Sequence, residues 1–492
     1  MRTSLKVSAE GKETIKQARR GWTDAQWCRE ASKVLDPTTN WEAEDYVAGD
    51  IFAGGCAPET LKNFLAGKPI NARVFYVFCE VRGVNPQNVL DSSSNIQLHQ
   101  GTEKARFIEN FWVGRKALIA ELTAKLRGDC RVLVLTGITG IGKTALAYQL
   151  AKVLLSEGFQ RERPLTFDED IGRDFVSVAA SLLIRWGEIV TADDRKEPER
   201  LLYRLLRKLQ NNRYLVQMDS LEMLLNGDEE TGWNNFQEQY QGEWWVRFFQ
   251  QLLALPECQS RLILTSQDLP TEFQELGNGE RRHFKTVTGL ELQEQLTLFQ
   301  ETGIEVEPES RNRPYLERIG AAYEGHPLAL LVIAGEILSE PFYGDAVVYW
   351  KKYGHEIEAI EKARQQEEVQ SEDDRLRLER FSPKLREFVK KKVESSFARL
   401  KEDFPDAYIL LCIGAAYRRS VPRDAWFYAL QKQLGYQEEQ LLVALEALSD
   451  RYLVEVEEFI EAEELFRQHN LIRSVALAHS KKVKMRIQQH DE

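Results

Sequence analysis

Apolar residues recur at helical spacing through Glu13–Arg20, Thr23–Leu35, Pro58–Ala66 and Ala72–Val81, so the first ninety or so residues predict short helices. Gly21, Gly54, Gly55, Gly67 and Gly83 punctuate them. Pro58 suits a first helical turn and Gly67 a C-terminal cap. The polar run Asp91–Thr102 breaks the pattern and reads as a linker. The period then changes. Apolar, β-branched runs at Val132–Thr136, Leu165–Phe167, Tyr214–Met218, Leu262–Thr265 and Phe284–Thr288 alternate with longer helical patterns. That alternation predicts a parallel sheet covered on both faces. From Leu290 to about Arg380 the spacing is helical and ends in the charged stretch Glu361–Arg380. Beyond Ser382, amphipathic helices lead to Arg451–Phe466, which fits a short hairpin. No tandem repeat is evident.

A chain of 492 residues is enough for about three or four modules. Hydrophobic residues at 43% and charged ones at 29% exclude collagen-like, low-complexity and wholly disordered chains. A net charge of −12 argues against nucleic acid coating the whole length, while leaving room for one basic face. The start, MRTSLKVSAEGKE, lacks the apolar core of a signal peptide, and Pro327–Ala334 and Tyr408–Ala416 are too short to span a bilayer. Cys28, Cys56, Cys79, Cys130, Cys258 and Cys412 are scattered without CxxC spacing, which implies neither a zinc site nor a disulfide framework. The expectation is a soluble cytoplasmic protein with no membrane partner.

The strongest chemical signal is Gly137-Ile-Thr-Gly-Ile-Gly-Lys-Thr144, a full GxxxxGKT between a predicted strand and a predicted helix. Gly137, Gly140 and Gly142 let backbone amides, with those of Ile141 and Ala145, converge on phosphate oxygens at a positive helix end. Lys143 supplies a cation for the β- and γ-phosphates, and Thr144 a ligand for Mg²⁺. Asp219 ends the apolar run from Tyr214, where a second Mg²⁺ ligand belongs. Many P-loop ATPases place another acid directly after it to activate water. Here Ser220 follows, and Glu222 is the nearest candidate base, so slow hydrolysis is expected.

Further segments then fall in order: Phe111-Trp-Val-Gly-Arg-Lys116, Arg261-Leu-Ile-Leu-Thr-Ser-Gln267, Thr288-Gly-Leu-Glu-Leu292, Gly325-His-Pro-Leu-Ala-Leu330 and Gln468-His-Asn-Leu-Ile-Arg473. Over roughly residues 105–480 the chain resembles the NB-ARC class of STAND ATPases in its bacterial, cyanobacterial-type form. The resemblance implies an ATP- or ADP-binding, Mg²⁺-dependent switch of multi-domain α/β plus α architecture. A P-loop NTPase parallel sheet (106–289) would carry a helical lid (290–380) and a winged helix (381–492). An all-α helix-turn-helix domain (1–91) and a linker (92–105) would precede them. It implies that Val113, Gly114 and Arg115 lie beside adenine and ribose, and that Thr265 looks toward the terminal phosphate. Pro327 would pack on the adenine and His469 would touch the β-phosphate of ADP. Two positions depart from the family pattern. Gln267 stands where an arginine often reads the γ-phosphate, and Gln468-His469-Asn470 replaces Met-His-Asp.

The resemblance also implies a homo-oligomer in the activated state. The repeat domain that such proteins carry after the winged helix is not seen here, so a separate sensor or effector protein, or DNA, is the expected source of the signal. The amino-terminal segment resembles the helix-turn-helix domains that precede such modules. Residues 1–35 carry +4, while residues 1–100 are neutral, so DNA binding through Arg19, Arg20, Lys62, Lys68 and Arg73 and protein interaction both stay open. The aromatic segment Asp228–Phe249 is read as packing on the sheet edge rather than as a partner anchor, and the basic tail Lys481–Arg486 as a solvated end. Two other functions stay open: a loader- or motor-like P-loop ATPase acting on DNA, and a DNA-binding regulator whose nucleotide is structural.

Overall fold

The computed structural model describes residues 4–17, 22–35, 52, 56, 58–68, 70–84, 89, 112–168, 172–228, 232–277, 279–370, 384–458 and 464–490. The expected linker therefore lies outside the described residues, as do Arg19, Arg20 and the far end of the charged connector.

In the amino-terminal segment, strands β1 (Ser4–Leu5) and β2 (Ile70–Asn71) pair antiparallel beside the helices Ala9–Gln17, Asp24–Leu35, Pro58–Ala66 and Ala72–Arg82. The first helix starts four residues earlier than its apolar pattern predicts. Ser8 caps it, with Gly11 N donating to Ser8 Oγ at 2.8 Å. Trp27, Leu61, Phe64, Phe75 and Phe78 form the core of this segment, with Cys28, Cys56 and Cys79 buried among them.

Residues Gly114–Gly289 make a compact unit of their own. It contains β3 (Val132–Thr136), β4 (Gln160–Arg161), β5 (Leu165–Thr166), β6 (Tyr214–Asp219), β7 (Leu225–Asp228), β8 (Gly232–Phe236), β9 (Arg261–Ser266) and β10 (Arg282–Thr286). The main sheet runs β10-β3-β9-β6-β4, with β5 also on β6, and every pairing is parallel. Strand β10 lies two residues upstream of the predicted run because its register is set by β3, Thr286 facing Thr136. Val132, Val134, Val216, Met218, Leu262 and Leu264 share one face with the helices Phe175–Arg185, Pro198–Asn211 and Gly242–Ala254. The alternate residues Leu133, Leu135, Leu215 and Ile263 are also buried, as expected of a sheet covered on both sides. The aromatic segment is core: β7 and β8 form a hairpin, and Trp245, Phe248 and Phe249 are buried from the helix that follows.

The amino-terminal segment clusters with residues 290–376 and 383–492 in a second unit. Helices Leu292–Thr302, Arg313–Ala322, Pro327–Leu338 and Ala346–Gln370 pack together first. The helices Leu385–Asp403, Pro405–Gly414, Arg423–Leu434, Glu438–Asp450 and Asn470–His490 follow, with a three-stranded antiparallel sheet, β11 (Val421–Pro422), β13 (Glu464–Arg467) and β12 (Glu455–Glu458). The hairpin predicted at Arg451–Phe466 is the β12–β13 pair.

Between helices Pro327–Leu338 and Leu385–Asp403 lies a buried ionic network. Glu336 accepts from Lys392 Nζ at 2.7 Å, Tyr349 OH at 2.7 Å, Ser396 Oγ at 2.5 Å and Arg399 Nη1 at 2.5 Å. Burial works against its carboxylate, but Lys392 and Arg399 outweigh that and bring the group down to about 2. Lys392 is pushed down in turn, by burial and by Arg399, although Glu336 opposes it.

Cys130 and Cys412 are buried too, and burial raises the Cys79, Cys130 and Cys412 thiols to about 12, 11 and 12. Among the described residues no helix is long and apolar enough to cross a membrane.

Candidate phosphate-binding site

Strand β3 ends at Thr136, and the chain turns through Gly137–Gly142 into the helix Lys143–Leu155. The turn needs residues without Cβ: Gly142 sits at φ 93°, and a Cβ there would meet Arg115 Nη1 at 3.0 Å. Lys143 is largely buried and folds back over the loop, its Nζ donating to Gly137 O at 2.8 Å and Ile138 O at 3.1 Å. The ammonium is thus held over the loop by two neutral carbonyls.

Asp219 arrives from the far side of an intervening strand. Strand β9 lies between β3 and β6, and its Thr265 bridges them. Thr265 Oγ1 donates to Asp219 Oδ1 at 2.5 Å and accepts from Ser220 N at 3.1 Å. The same Asp219 oxygen accepts from Thr144 Oγ1 at 2.7 Å. Ser220 adopts φ 63°, uncommon for a residue with a side chain, which turns the chain sharply away after Asp219.

Glu222 is buried on the short 3₁₀ turn Leu221–Leu224, and its Oε2 accepts from Gln267 N at 3.2 Å. Burial pushes its carboxyl up, and the Lys143 ammonium opposes that. Gln267 O in turn accepts from Gly137 N at 3.3 Å, which ties the end of β9 to the start of the loop. Ser266 Oγ and Gln267 Oε1 are buried without a hydrogen-bond partner among the described residues.

The structure therefore brings Gly137, Gly140, Ile141, Gly142, Lys143, Thr144 and Ala145 into one loop and helix start, with Asp219, Glu222 and Thr265 at neighbouring strand ends. Gly114 leads directly into Arg115, whose Nη2 donates to Ile141 O and Thr288 O, each at 2.8 Å. Arg115 clasps the loop to the residue just beyond β10, a task its motif does not reveal. Val113, Pro327 and His469 belong to the second unit. Pro327 occupies the first turn of its helix, where His326 caps through Nδ1, accepting from Ala329 N at 3.3 Å. His469 caps the last helix, Nδ1 accepting from Leu471 N at 3.3 Å. Glu455 lies beside it; Arg467 and His469 hold that carboxyl below its usual range against the effect of burial.

The set suits Mg²⁺ with polyphosphate: a hydroxyl and a carboxylate 2.7 Å apart, an ammonium held over the loop and a glycine loop at a helix N-terminus. The strand order, the loop and the Thr144–Asp219 pair define a P-loop nucleoside triphosphatase fold. No known protein-family model matches the chain. It is 28% identical over 369 residues, 68% of its length, to an uncharacterized WD repeat-containing protein of Nostoc sp. strain PCC 7120. The chain spans 28% of the length of that curated relative. Among solved structures it is similar to a STAND protein with a tetratricopeptide repeat sensor from Pyrococcus horikoshii, at 17% identity and TM-score 0.42, over 74% of this chain and 42% of that one. It is also similar to the ORC1 protein of Aeropyrum pernix, solved in complex with DNA, at 14% identity and TM-score 0.33, over 77% and 96%. Cdc6p of Pyrobaculum aerophilum gives 12% identity and TM-score 0.34, over 78% and 99%. These are loose likenesses, and the P-loop class rests on the chain's own sheet order and loop.

Proposed function

We propose that this protein is an adenine-nucleotide switch: it binds ATP or ADP with Mg²⁺, hydrolyses slowly, and changes conformation with the nucleotide held. The observation that carries the reading is the convergence of Lys143, Thr144 and Asp219 on one glycine loop. Nucleotide phosphate would replace the carbonyls of Gly137 and Ile138 as partner of Lys143, exchanging two neutral acceptors for charged ones. Thr144 and Asp219 would hold Mg²⁺, which when bound neutralises charge between the β- and γ-phosphates. Ser220 in place of a second acid, and a Glu222 engaged with Gln267, support slow turnover.

In this reading, residues 290–380 act as a lid and 381–492 as a winged helix, with Pro327 on the adenine and His469 as the reporter of ADP. ATP favours an oligomer, and the amino-terminal helices carry the output to DNA or a partner protein. Nucleotide released on denaturing the purified protein tests it directly: retained ADP with negligible turnover supports the switch. Steady turnover strongly stimulated by DNA would favour a loader- or motor-like ATPase instead. Lys143→Ala is expected to lose adenine-nucleotide binding in a fluorescent-nucleotide titration, and affinity equal to the parent's would overturn the site.

A further inference from the structure

The helix Pro58–Ala66 meets an acidic loop within its own structural unit. Asn63, buried although it stands on the helix surface, donates from Nδ2 to Glu305 Oε1 at 3.2 Å. Lys68 Nζ lies 3.6 Å from Glu307 Oε1. Lys68 is placed there by the end of the helix: Gly67 turns the chain at φ 72°, and Lys68 N donates back to Asn63 O at 2.9 Å. Leu61 and Phe64 point into the module core, so Asn63 and Lys68 present a separate polar edge.

The loop opposite is built to hold carboxylates outward. Ile304 and Val306 are buried, and extended backbone alternates, so Glu305 and Glu307 face away from the lid core. Its course is fixed by Ile304 N on Phe299 O at 3.1 Å, Ser310 N on Glu307 O at 2.9 Å and Val306 N on Glu307 Oε2 at 3.2 Å. With the exposed Glu309 it offers three acids in five residues.

We propose that the edge formed by Asn63, Lys68 and the exposed Lys62 is a duplex-DNA reading surface, and that the Glu305–Glu307 loop occupies it as a latch. An asparagine amide has the donor and acceptor that match an adenine edge in the major groove, and flanking lysines match phosphates. The loop supplies carboxylates where phosphate and base acceptors would come. The Lys68–Glu307 half of the contact is open to solvent, with side chains 55% and 37% exposed, so that pair is weak and reversible. The loop follows directly on the helix Leu292–Thr302, so a shift of that helix withdraws the latch. This inference rests on the proposed DNA output of the amino-terminal helices and is independent of nucleotide binding.

The test uses the full chain and a fluorescein-labelled duplex of random sequence, read by anisotropy at roughly 50 and 200 mM salt. Wild type is expected to bind weakly. The variant Glu305→Gln with Glu307→Gln is expected to bind at least about tenfold tighter at low salt, with affinity falling as salt rises. Adding Asn63→Ala and Lys68→Gln should cancel the gain. Hydrogen exchange over Pro58–Ala66 in the double variant separates the two halves of the proposal. Unchanged exchange overturns the latch, and faster exchange without a gain in DNA affinity overturns the DNA assignment in favour of an acidic protein partner. A gain that survives loss of Asn63 and Lys68 overturns the surface named here.

Discussion

Arg115 illustrates how one side chain sets the phosphate loop. Its Nη2 serves the buried Ile141 O in the loop and the more exposed Thr288 O just beyond β10. Arg115→Met keeps the stem but strands Ile141 O, at about 1–3 kcal/mol for an unmade buried hydrogen bond, while Thr288 O can turn to solvent. The expected outcome is a lower thermal midpoint and about tenfold weaker nucleotide binding, measured by scanning fluorimetry and fluorescent-nucleotide titration. Glu222 is tested by kinetics: Glu222→Gln should leave nucleotide affinity intact and lower turnover further. Equal turnover would remove Glu222 as proton acceptor. The glycine loop and Asp219 were legible in the chain because each is fixed by local spacing around a single strand end. The clasp by Arg115 was not, since Thr288 lies 173 positions away and meets it only once β10 pairs with β3.

At the scale of elements, the strands were legible from their β-branched runs, while their ends were not. Pairing decides the ends, as β10 shows, and a single hydroxyl decides the first helix, where Ser8 supplies the cap. The Glu336 network was invisible in the sequence, because Glu336 sits in an otherwise apolar helix and its partners come from two other helices. Glu336→Gln removes the carboxylate that pairs with Lys392 and leaves Arg399 with Glu356 alone, which should destabilise the protein by about 3–5 kcal/mol at neutral pH. The pH dependence follows from the depressed carboxyl. The unfolded group titrates near the ordinary glutamate value of about 4.3, and the folded one at about 2. The stabilisation is therefore complete above about pH 5 and is lost as pH falls toward 2. Denaturant unfolding of wild type and Glu336→Gln from pH 7 to pH 3 should show the difference shrinking; a constant difference would rule out the ion pair as its source.

For the whole molecule, a switch requires that the two nucleotides differ in affinity for two arrangements, by a coupling of about 1–3 kcal/mol. His469 is the test residue, since it already caps the last helix and stands beside Glu455. His469→Ala is expected to weaken ADP more than ATP and to enlarge the hydrodynamic radius of the ADP-bound form. Unchanged ADP affinity with unchanged size would contradict the switch. What the sequence could not supply is the placement of distant segments. Motif order names Val113, Pro327 and His469 together, but spacing along a chain does not bring residues so far apart into one place.

The thiols described with each module have a practical consequence. Alkylation requires the thiolate, and Cys79, Cys130 and Cys412 are both buried and pushed to about 12, 11 and 12. One such thiol sits in the amino-terminal helices, one at the root of the phosphate-loop strand and one among the carboxyl-terminal helices. A brief pulse of iodoacetamide during denaturation, read by peptide mass, would therefore time-stamp the opening of each module in the unaltered protein, with no engineered label.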